Sequence, residues 1–385
     1  MKNIYSSIAC GGMDVHYKFS NITFRNPSGD IVRRQRLKHP QRKELFEQFR
    51  RWPKGMPVVM EASFGWGWLS DLMEQAGLDV KLSNCYKVEQ MRKARGWVKT
   101  NKKDADLTSL LPFESTEWWR VWRAPREVRN RREKMRFRGD LVELQTMVKN
   151  RIHAIFHRHG IFHEFSDLFG GNGRKFLAEL CLNGSEYLPS EALLALRGQV
   201  KLLEHIRKQL ADVGRILHRQ LQTTPLIRRL KTISGIGLII SNILVAEIGT
   251  IERFRNHKAL ASYSLLAPRC KDTGQEDMEH SPLGRHLGDR GNRTLKWAFI
   301  EAAHGAVRSG GRWRAMFDRV TNGGTRDRNR GYIKVARELV KVVHAVWRKD
   351  VDYSKDYAVG SPRSRNKTRS GTGQLFHPMV HAQMA

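Results

Sequence analysis

Cysteine, acidic side chains and long apolar runs are all scarce in this chain of 385 residues. The most apolar stretch, Leu238 to Gly249, is interrupted by polar residues and is shorter than the ~20 residues of a membrane span. The first ten residues lack the apolar segment of a secretory signal, so we expect a reduced, cytoplasmic protein. A disulfide framework and a zinc ribbon are disfavoured because the four cysteines lie far apart without a C-x-x-C pair: Cys10, Cys85, Cys181 and Cys270.

The shortage of acids leaves a large positive surplus. The chain carries 69 Lys and Arg against 38 Asp and Glu, a net charge of +31, whereas solubility alone requires only a few units. Such a surplus is typical of a protein with a polyanionic partner, because neutralising phosphates releases counterions and supplies affinity that does not depend on sequence. Nucleic acid is the first expectation, and an anionic membrane surface is the main alternative.

Strand and helix patterns alternate in the first third of the chain. Residues 8–37 form two extended segments around a turn at Asn26-Pro27-Ser28-Gly29, which predicts a hairpin. The pattern then predicts an α/β domain that ends near Leu111. Its further elements are a helix over 42–51, a strand over 57–61, a helix over 65–77, a strand over 78–83 and a helix over 86–94.

Helical patterns dominate the remainder. Apolar residues recur every three or four positions from Phe137 to Ile155, and leucines recur every seven from Leu196 to Leu217, which predicts an antiparallel coiled-coil arm. An ordinary helical bundle is the alternative. A third, helical unit begins at Pro225, and the polar composition beyond Asp350 predicts a disordered basic tail. The predicted domains are 1–115, 116–224, 225–350 and 351–385.

Three carboxylates stand where a folded sheet can bring them together. Asp14 lies within the predicted strand GMDVH, Glu61 ends the strand PVVME, and Asp104 opens the helical segment DADLTSLL. Oxygen ligands of this kind hold Mg²⁺, and two such ions can clamp the attacking and leaving oxygens of a phosphodiester. Taken singly, each acid is also compatible with a capping or turn role.

The order and spacing of these segments resemble the DEDD-type insertion-sequence transposases, the group that includes the Piv DNA invertase and the IS110 elements. GMDVH, VVMEAS and KTNKKDA carry the first half of the resemblance. TISGIGLIISNILVAEIGTIERFRNHKALASYSLLAPR and GRHLGDRGNRTLKWAFIEAA carry the second, so that it covers roughly Ile8 to Trp347. The resemblance implies a RuvC-like, RNase H-type N-terminal domain, a coiled-coil connector and a small helical C-terminal transposase domain.

The resemblance also implies cofactors and partners. It implies Mg²⁺ at the acids, double-stranded DNA as substrate at element ends and target, and a structured guide, the bridge RNA. It implies a homo-oligomer, a dimer or tetramer, in which a composite site forms across subunits. No membrane partner is expected.

The chain departs from the family pattern at two presumed catalytic positions. Asp14, Glu61 and Asp104 match three of the four family acids, but Asn101 occupies the place of the remaining one. Asparagine keeps an oxygen ligand and loses a charge, so we expect weaker metal binding. Asp106 compensates only if its helix presents it on the same face, for which two residues of separation is poor geometry.

The second departure concerns the nucleophile. The family's C-terminal domain carries a serine thought to attack DNA and form a covalent 5′-phosphoester, and Thr273 occupies that place in this chain. A threonine hydroxyl keeps the same chemistry. Ser281 is the other candidate, and Ser262 and Ser264 are more remote ones. A plain turn hydroxyl beside Gly274 is the alternative reading of Thr273.

Glycine and arginine segments predict nucleic-acid contacts. Gly235 and Gly237 resemble a helix-hairpin-helix turn, whose backbone N–H groups can approach a phosphate; a simple loop-to-helix junction is the alternative. Trp118, Trp119 and Trp122 stand among arginines, which fits either a base-stacking surface or one face of a packed helix. Candidate phosphate contacts are Arg285, Arg290, Arg293 and Lys296, with Arg326, Arg328 and Arg330 in a predicted loop over 322–331.

The sequence as a whole predicts a DNA transposase or recombinase, associated with the nucleoid in a prokaryotic cytoplasm. Two alternatives stay open. One is a degenerate or domesticated DNA- or RNA-binding protein, favoured by Asn101 and Thr273. The other is a RuvC-like junction nuclease that forms no covalent intermediate.

Overall fold

A mixed sheet forms the centre of the N-terminal region. The structure is a computed structural model that describes residues 7–98, 100–220, 224–268, 287 and 290–353. The strands and helices of the N-terminal region are β1 (Cys10–Val15), β2 (Phe19–Arg25), β3 (Ile31–Lys38), α1 (Arg42–Arg50), β4 (Pro57–Glu61), α2 (Trp66–Gln75), β5 (Asp79–Ser83), α3 (Cys85–Ala94), α4 (Asn101–Thr108) and β6 (Arg120–Val121).

The six strands lie in the order β3-β2-β1-β4-β5-β6. β1, β4 and β5 are parallel, whereas β2, β3 and β6 are antiparallel to their neighbours. The predicted hairpin is confirmed: β2 and β3 are joined through the Asn26–Gly29 turn, where Gly29 adopts φ +85°. This mixed α/β sheet followed by helices is the predicted fold class.

The two faces of the sheet are covered by different helices, as the alternation of side chains requires. On one face Met13 and Met60 pack in a core with residues of α1 and α2, including Phe49 and Leu69. On the opposite face Val59 packs with residues of α3 and α4 and with Trp119.

The helix α4 lies very close to β1. A Cβ on Gly12 would stand 1.9 Å from the backbone nitrogen of Ser109, so only glycine permits this approach. Thr23 Oγ1 donates to Asp106 Oδ1 at 2.7 Å, and Arg34 donates from Nε and Nη2 to the two Asp106 oxygens at 2.8 and 2.9 Å. Burial alone would raise the pKa of Asp106, but these hydrogen bonds and the arginine charge lower it.

The heptad stripe lies on the second of two long helices. These are α5 (Arg126–His159) and α7 (Ser190–Gln220), with α6 (Gly171–Asn183) between them. Lys134 Nζ donates to Gln220 Oε1 at 3.1 Å, which joins the start of α5 to the end of α7, so the two are antiparallel. Phe137 is 50% exposed, so the predicted stripe of α5 is buried only in its later part. The coiled-coil assignment itself stays a prediction.

The tryptophan-rich segment 117–123 is not helical, and the prediction of one helix face there is wrong. Arg120 and Val121 form the short edge strand β6, which pairs with β5. Trp119 is 1% exposed and packs in the core, as one of the two readings expected, whereas Trp118 is 38% exposed. Both tryptophans lie in a turn that precedes β6, where the Arg120 backbone N–H donates to the Glu117 backbone oxygen at 2.9 Å.

Contacts divide the chain into two compact units. The first comprises 1–222, 242–255 and 292–295, and the second comprises 223–241, 256–291 and 296–385. The four-part domain division stays a prediction, and residues 354–385 of the predicted tail lie outside the described residues. No described helix is long and apolar enough to cross a bilayer. The remaining helices are α8 (Pro225–Lys231), α9 (Leu238–Ile248), α10 (His257–Tyr263), α11 (Arg293–Arg308), α12 (Gly311–Thr321) and α13 (Arg328–Lys349).

A buried carboxylate holds together distant segments of the first unit. Glu247 is fully buried and accepts hydrogen bonds from Arg136 Nε and Nη2 at 2.7 and 2.9 Å and from Asn292 Nδ2 at 2.7 Å. Arg132 donates to the backbone oxygens of Ala246 and Glu247 at 2.9 and 3.0 Å. A buried charge needs such partners, because leaving it unpaired costs several kcal/mol.

We predict that Glu247→Gln destabilises the first unit by about 3 kcal/mol, because the substitution removes the charge that the two arginines surround without creating a cavity. The measurement is the midpoint of denaturant unfolding followed by tryptophan fluorescence. Glu179→Gln, at an exposed position of α6, is the matched control. Equal midpoints for the two variants would show that the Glu247 contacts contribute nothing net.

We also predict that Asp106→Asn destabilises the protein at neutral pH by about 2 kcal/mol, since it removes charge-assisted hydrogen bonds. The pKa of Asp106 is lower in the folded than in the unfolded state, so its contribution is present above about pH 4 and is lost as pH falls through the folded value. Melting temperatures of wild type and variant should therefore converge in acid. Asp140→Asn, at an exposed site, should show no such convergence.

Candidate catalytic site

Strand register places the first two candidate acids on one face of the sheet. Met13 of β1 aligns with Met60 of β4, and both lie in the core beneath α1 and α2. Asp14 and Glu61 are the next residues of these two strands, so their side chains point to the opposite face, where α4 lies. Neighbouring strands are about 4.8 Å apart, which makes the two acids adjacent in the sheet.

The third acid comes from α4, which runs antiparallel to β1. Ser109 packs on Gly12. Asp104 lies five residues before Ser109, about 7.5 Å along the helix axis. Asp14 lies two residues after Gly12, about 7 Å along the strand. Asp104 is therefore displaced from Ser109 in the same direction as Asp14 is from Gly12. It lies in the first turn of α4, where a negative charge is favoured by the helix dipole.

The two other candidates on α4 have different surroundings. Asn101 is exposed and begins the helix, one turn before Asp104, which puts the two side chains on the same side. Asp106 is 8% exposed and faces Arg34 and Thr23. An arginine that bonds both of its oxygens argues against Asp106 as a substitute metal ligand.

Two neighbours of the acids were missed by the sequence reasoning. His16 Nε2 lies 2.9 Å from Asp14 Oδ2, and Asp14 itself is 20% exposed in its side chain. Burial and the adjacent Glu61 carboxylate raise the pKa of the Cys85 thiol. The proximity of His16 to Asp14 could have been predicted from the sequence, because residues two apart in a strand share a face. The proximity of Cys85 to Glu61 could not have been predicted in this way, since it arises from the pairing of β4 with β5.

The donor chemistry of the acids fits a hard divalent cation. Asp14, Glu61 and Asp104 offer only carboxylate oxygens, the ligands that such cations prefer. Within the described residues, no three His, Cys, Asp or Glu side chains are grouped so that they could hold a metal ion. The three acids therefore offer suitable ligand types but are not grouped as a ready-made cation site among the described residues.

The nucleophile candidates lie mostly beyond what the structure describes. Thr273 and Ser281 fall outside the described residues, as does Arg285. Ser264 is fully buried and donates from Oγ to the Leu260 backbone oxygen at 2.8 Å, which withdraws it from any substrate. Ser262 is exposed near the end of α10.

The two glycines of the turn before α9 differ in their surroundings. Gly235 adopts φ +86°, and a Cβ there would stand 2.1 Å from the Ala302 backbone oxygen of α11. Close packing of backbone against α11 therefore explains this glycine. A Cβ on Gly237 would meet nothing within 4 Å, so the space beside its backbone is open.

The predicted arginine loop is shorter than expected. α13 begins at Arg328, so Arg328 and Arg330 are helical and the prediction of a loop as far as residue 331 is wrong. The cause is a helix start that the glycines obscured: Asp327 accepts from the Asn329 backbone N–H at 2.9 Å and caps α13. Arg326 remains in the turn, and Arg290 lies three residues before the start of α11.

Positive charge is concentrated in the first turns of two helices. Arg328 and Arg330 open α13, and Arg293 and Lys296 open α11. Cations at these positions are opposed by the helix dipole, so they do not serve the helices themselves. They are suited to an anionic partner, which benefits from both the side chains and the dipole.

Two protein-family models match the chain. A family model named for the DEDD motif and IS110, described as a transposase, matches residues 11–161, and the model of the transposase IS116/IS110/IS902 family matches residues 227–318. The first contains the three acids and the second contains Thr273.

Two curated relatives are similar to the chain. An insertion element IS110 uncharacterized 43.6 kDa protein of Streptomyces coelicolor is 28% identical over 141 residues, 36% of this chain and 33% of the relative. A probable family 20 transposase of Pseudomonas aeruginosa is 24% identical over 284 residues, 72% of this chain and 78% of the relative. With both family models matched in order along one sequence, the chain belongs to the IS110 family of DEDD transposases.

Proposed function

We propose that the protein cuts and rejoins double-stranded DNA at the ends and target of an insertion element. The observation that supports this most is the placement of Asp14 and Glu61 on adjacent strands of one sheet face, beneath a helix that carries Asp104 in its first turn. Acids in this relation suit phosphodiester chemistry in a chain that belongs to a transposase family.

Asp14, Glu61 and Asp104 would hold Mg²⁺, with the amide oxygen of Asn101 beside them. The ion, when bound, supplies positive charge to the phosphate that reacts. His16 Nε2 lies 2.9 Å from Asp14 Oδ2, beside the carboxylate that would bind the ion. Replacing one family acid by Asn101 removes a negative charge, so the proposed site binds the cation less tightly than four acids would.

The proposed nucleophile is the hydroxyl of Thr273. Its oxygen attacks a phosphodiester and becomes bonded to the 5′ phosphate, while the 3′ oxygen of the DNA leaves and takes up a proton. A second 3′ hydroxyl later attacks this phosphoester and releases the threonine hydroxyl. The strand is thereby rejoined without an external energy source, since each bond formed replaces one of the same kind.

A structured guide RNA and a homo-oligomer complete the proposal. The positive surplus suits more than one nucleic acid, and cations stand in the first turn of α11 and in the first turn of α13. The competing function is a binding protein without catalysis. It is favoured by Asn101 and by the absence, among the described residues, of a grouped three-ligand set.

We predict that the protein forms a covalent adduct with element-end DNA in the presence of guide RNA and Mg²⁺, seen as a shifted band on denaturing electrophoresis. Thr273→Ala should abolish the adduct because the attacking oxygen is gone, and the control Ser281→Ala should retain it. Cleaved ends without an adduct would instead identify a junction nuclease. Binding without cleavage would identify a degenerate copy.

A second prediction concerns Asn101→Asp. Restoring the charge should lower the Mg²⁺ concentration for half-maximal cleavage about tenfold, equivalent to about 1.4 kcal/mol of added ligand interaction. The same shift should be visible in the Mg²⁺ dependence of melting temperature, which requires no activity. Asn130→Asp adds the same charge at an exposed position of α5 and should change neither dependence. Identical curves for both variants would remove Asn101 from the site.

A further inference from the structure

The row of residues that contains Asp14 continues across two more strands. Asp14 of β1 pairs with Asn21 of β2, and Asn21 pairs with Arg36 of β3. Cross-strand partners project from the same face, so all three side chains lie on the face that carries the acids. At about 4.8 Å per strand, the Arg36 backbone lies about 10 Å from that of Asp14.

The helix α4 bonds to the preceding row of this face. Gly12, Thr23 and Arg34 form the preceding row, where Ser109 lies on Gly12 and Asp106 bonds both Thr23 and Arg34. The charge of Arg34 is thereby balanced by a carboxylate. One row further on, Arg36 is exposed.

Arg36 is held by an aromatic ring. Its guanidinium carbon lies 3.7 Å from the centroid of Phe19, and Phe19 pairs with Lys38, which is exposed on the same face. Stacking orients a guanidinium while leaving its N–H edges able to bind an anion. The ring carries no charge, so this contact does not neutralise the positive charge of Arg36.

The position of β3 suggests a competing explanation. β3 is an edge strand of the sheet, and charged side chains on edge strands prevent pairing between molecules. That role requires charge somewhere on the strand. It does not require an arginine oriented on a ring in the same row as Asp14.

We propose that Asn21, Arg36 and Lys38 form a phosphate-binding strip that receives the DNA strand beside the phosphate cut at Asp14 and Glu61. The acids repel the DNA backbone, and the strip supplies the compensating cations on the same face. This proposal rests on the proposed function, because it assigns the strip to the same strand that the acids cut.

The test measures DNA binding without cleavage, using a short labelled duplex of arbitrary sequence in EDTA. Arg36→Gln should weaken binding about fivefold and reduce the slope of log affinity against log salt by about 1, since one phosphate contact is lost. Arg36→Lys should keep the slope. Arg33→Gln removes the same charge from the other face of β3 and is the matched control. Equal slopes for Arg36→Gln and Arg33→Gln would overturn the proposal.

A second measurement locates the contact. The readout is formation of the covalent adduct. Ethylation of the phosphates next to the cut should reduce adduct formation by the wild type and should not reduce it further for Arg36→Gln. If the interference that Arg36→Gln loses is at phosphates far from the cut, the assignment of the strip to the cut strand is overturned. If wild type forms no adduct but the salt slope still falls in Arg36→Gln, the proposed function fails and the anion-binding strip remains. If Arg36→Gln only aggregates and its soluble fraction keeps the wild-type slope, edge protection is the role of Arg36.

Discussion

The contact between α4 and β1 is the constraint on which the candidate site depends. Gly12 lets the helix backbone approach the strand, and the bonds from Thr23 and Arg34 to Asp106 fix its height above the sheet. With the end of the helix fixed at one row, the helix runs from there towards the Asp14 end of β1. The acid that α4 contributes is thus positioned by residues that take no part in chemistry themselves.

Asp106 illustrates why carboxylates close in sequence need not share a role. It lies two positions after Asp104, but a helix turns by 200° over that interval, so the two side chains point in nearly opposite directions. One faces the candidate site and the other faces the arginine of β3. Asp106 therefore does not take the place of the acid that is missing at Asn101.

Local patterns predicted most of the sheet region, because turn chemistry and alternating apolar residues determine strands directly. The strand over 57–61 and the Asn26–Gly29 hairpin were found in this way. The sequence predicted that Asp14 and Glu61 could come together at one sheet. It did not predict that their strands are neighbours, since strand order depends on long-range contacts. Segment 117–123 was misread because the spacing of its tryptophans fits one face of a helix, whereas the turn and the short strand β6 found there depend on pairing with β5.

Glu247 could not be interpreted from the sequence, where it is one acid in an apolar helix. In the structure it is fully buried between Arg136 and Asn292, residues far from it along the chain. A buried ion pair is weak support for stability but sets which partners fit, because any other arrangement leaves a charge unpaired. The Glu247 contacts therefore select one packing of 242–255 and 292–295 on α5, and Asn292 directly precedes the basic first turn of α11. Glu247 and its partners therefore hold the segment that leads into the first turn of α11.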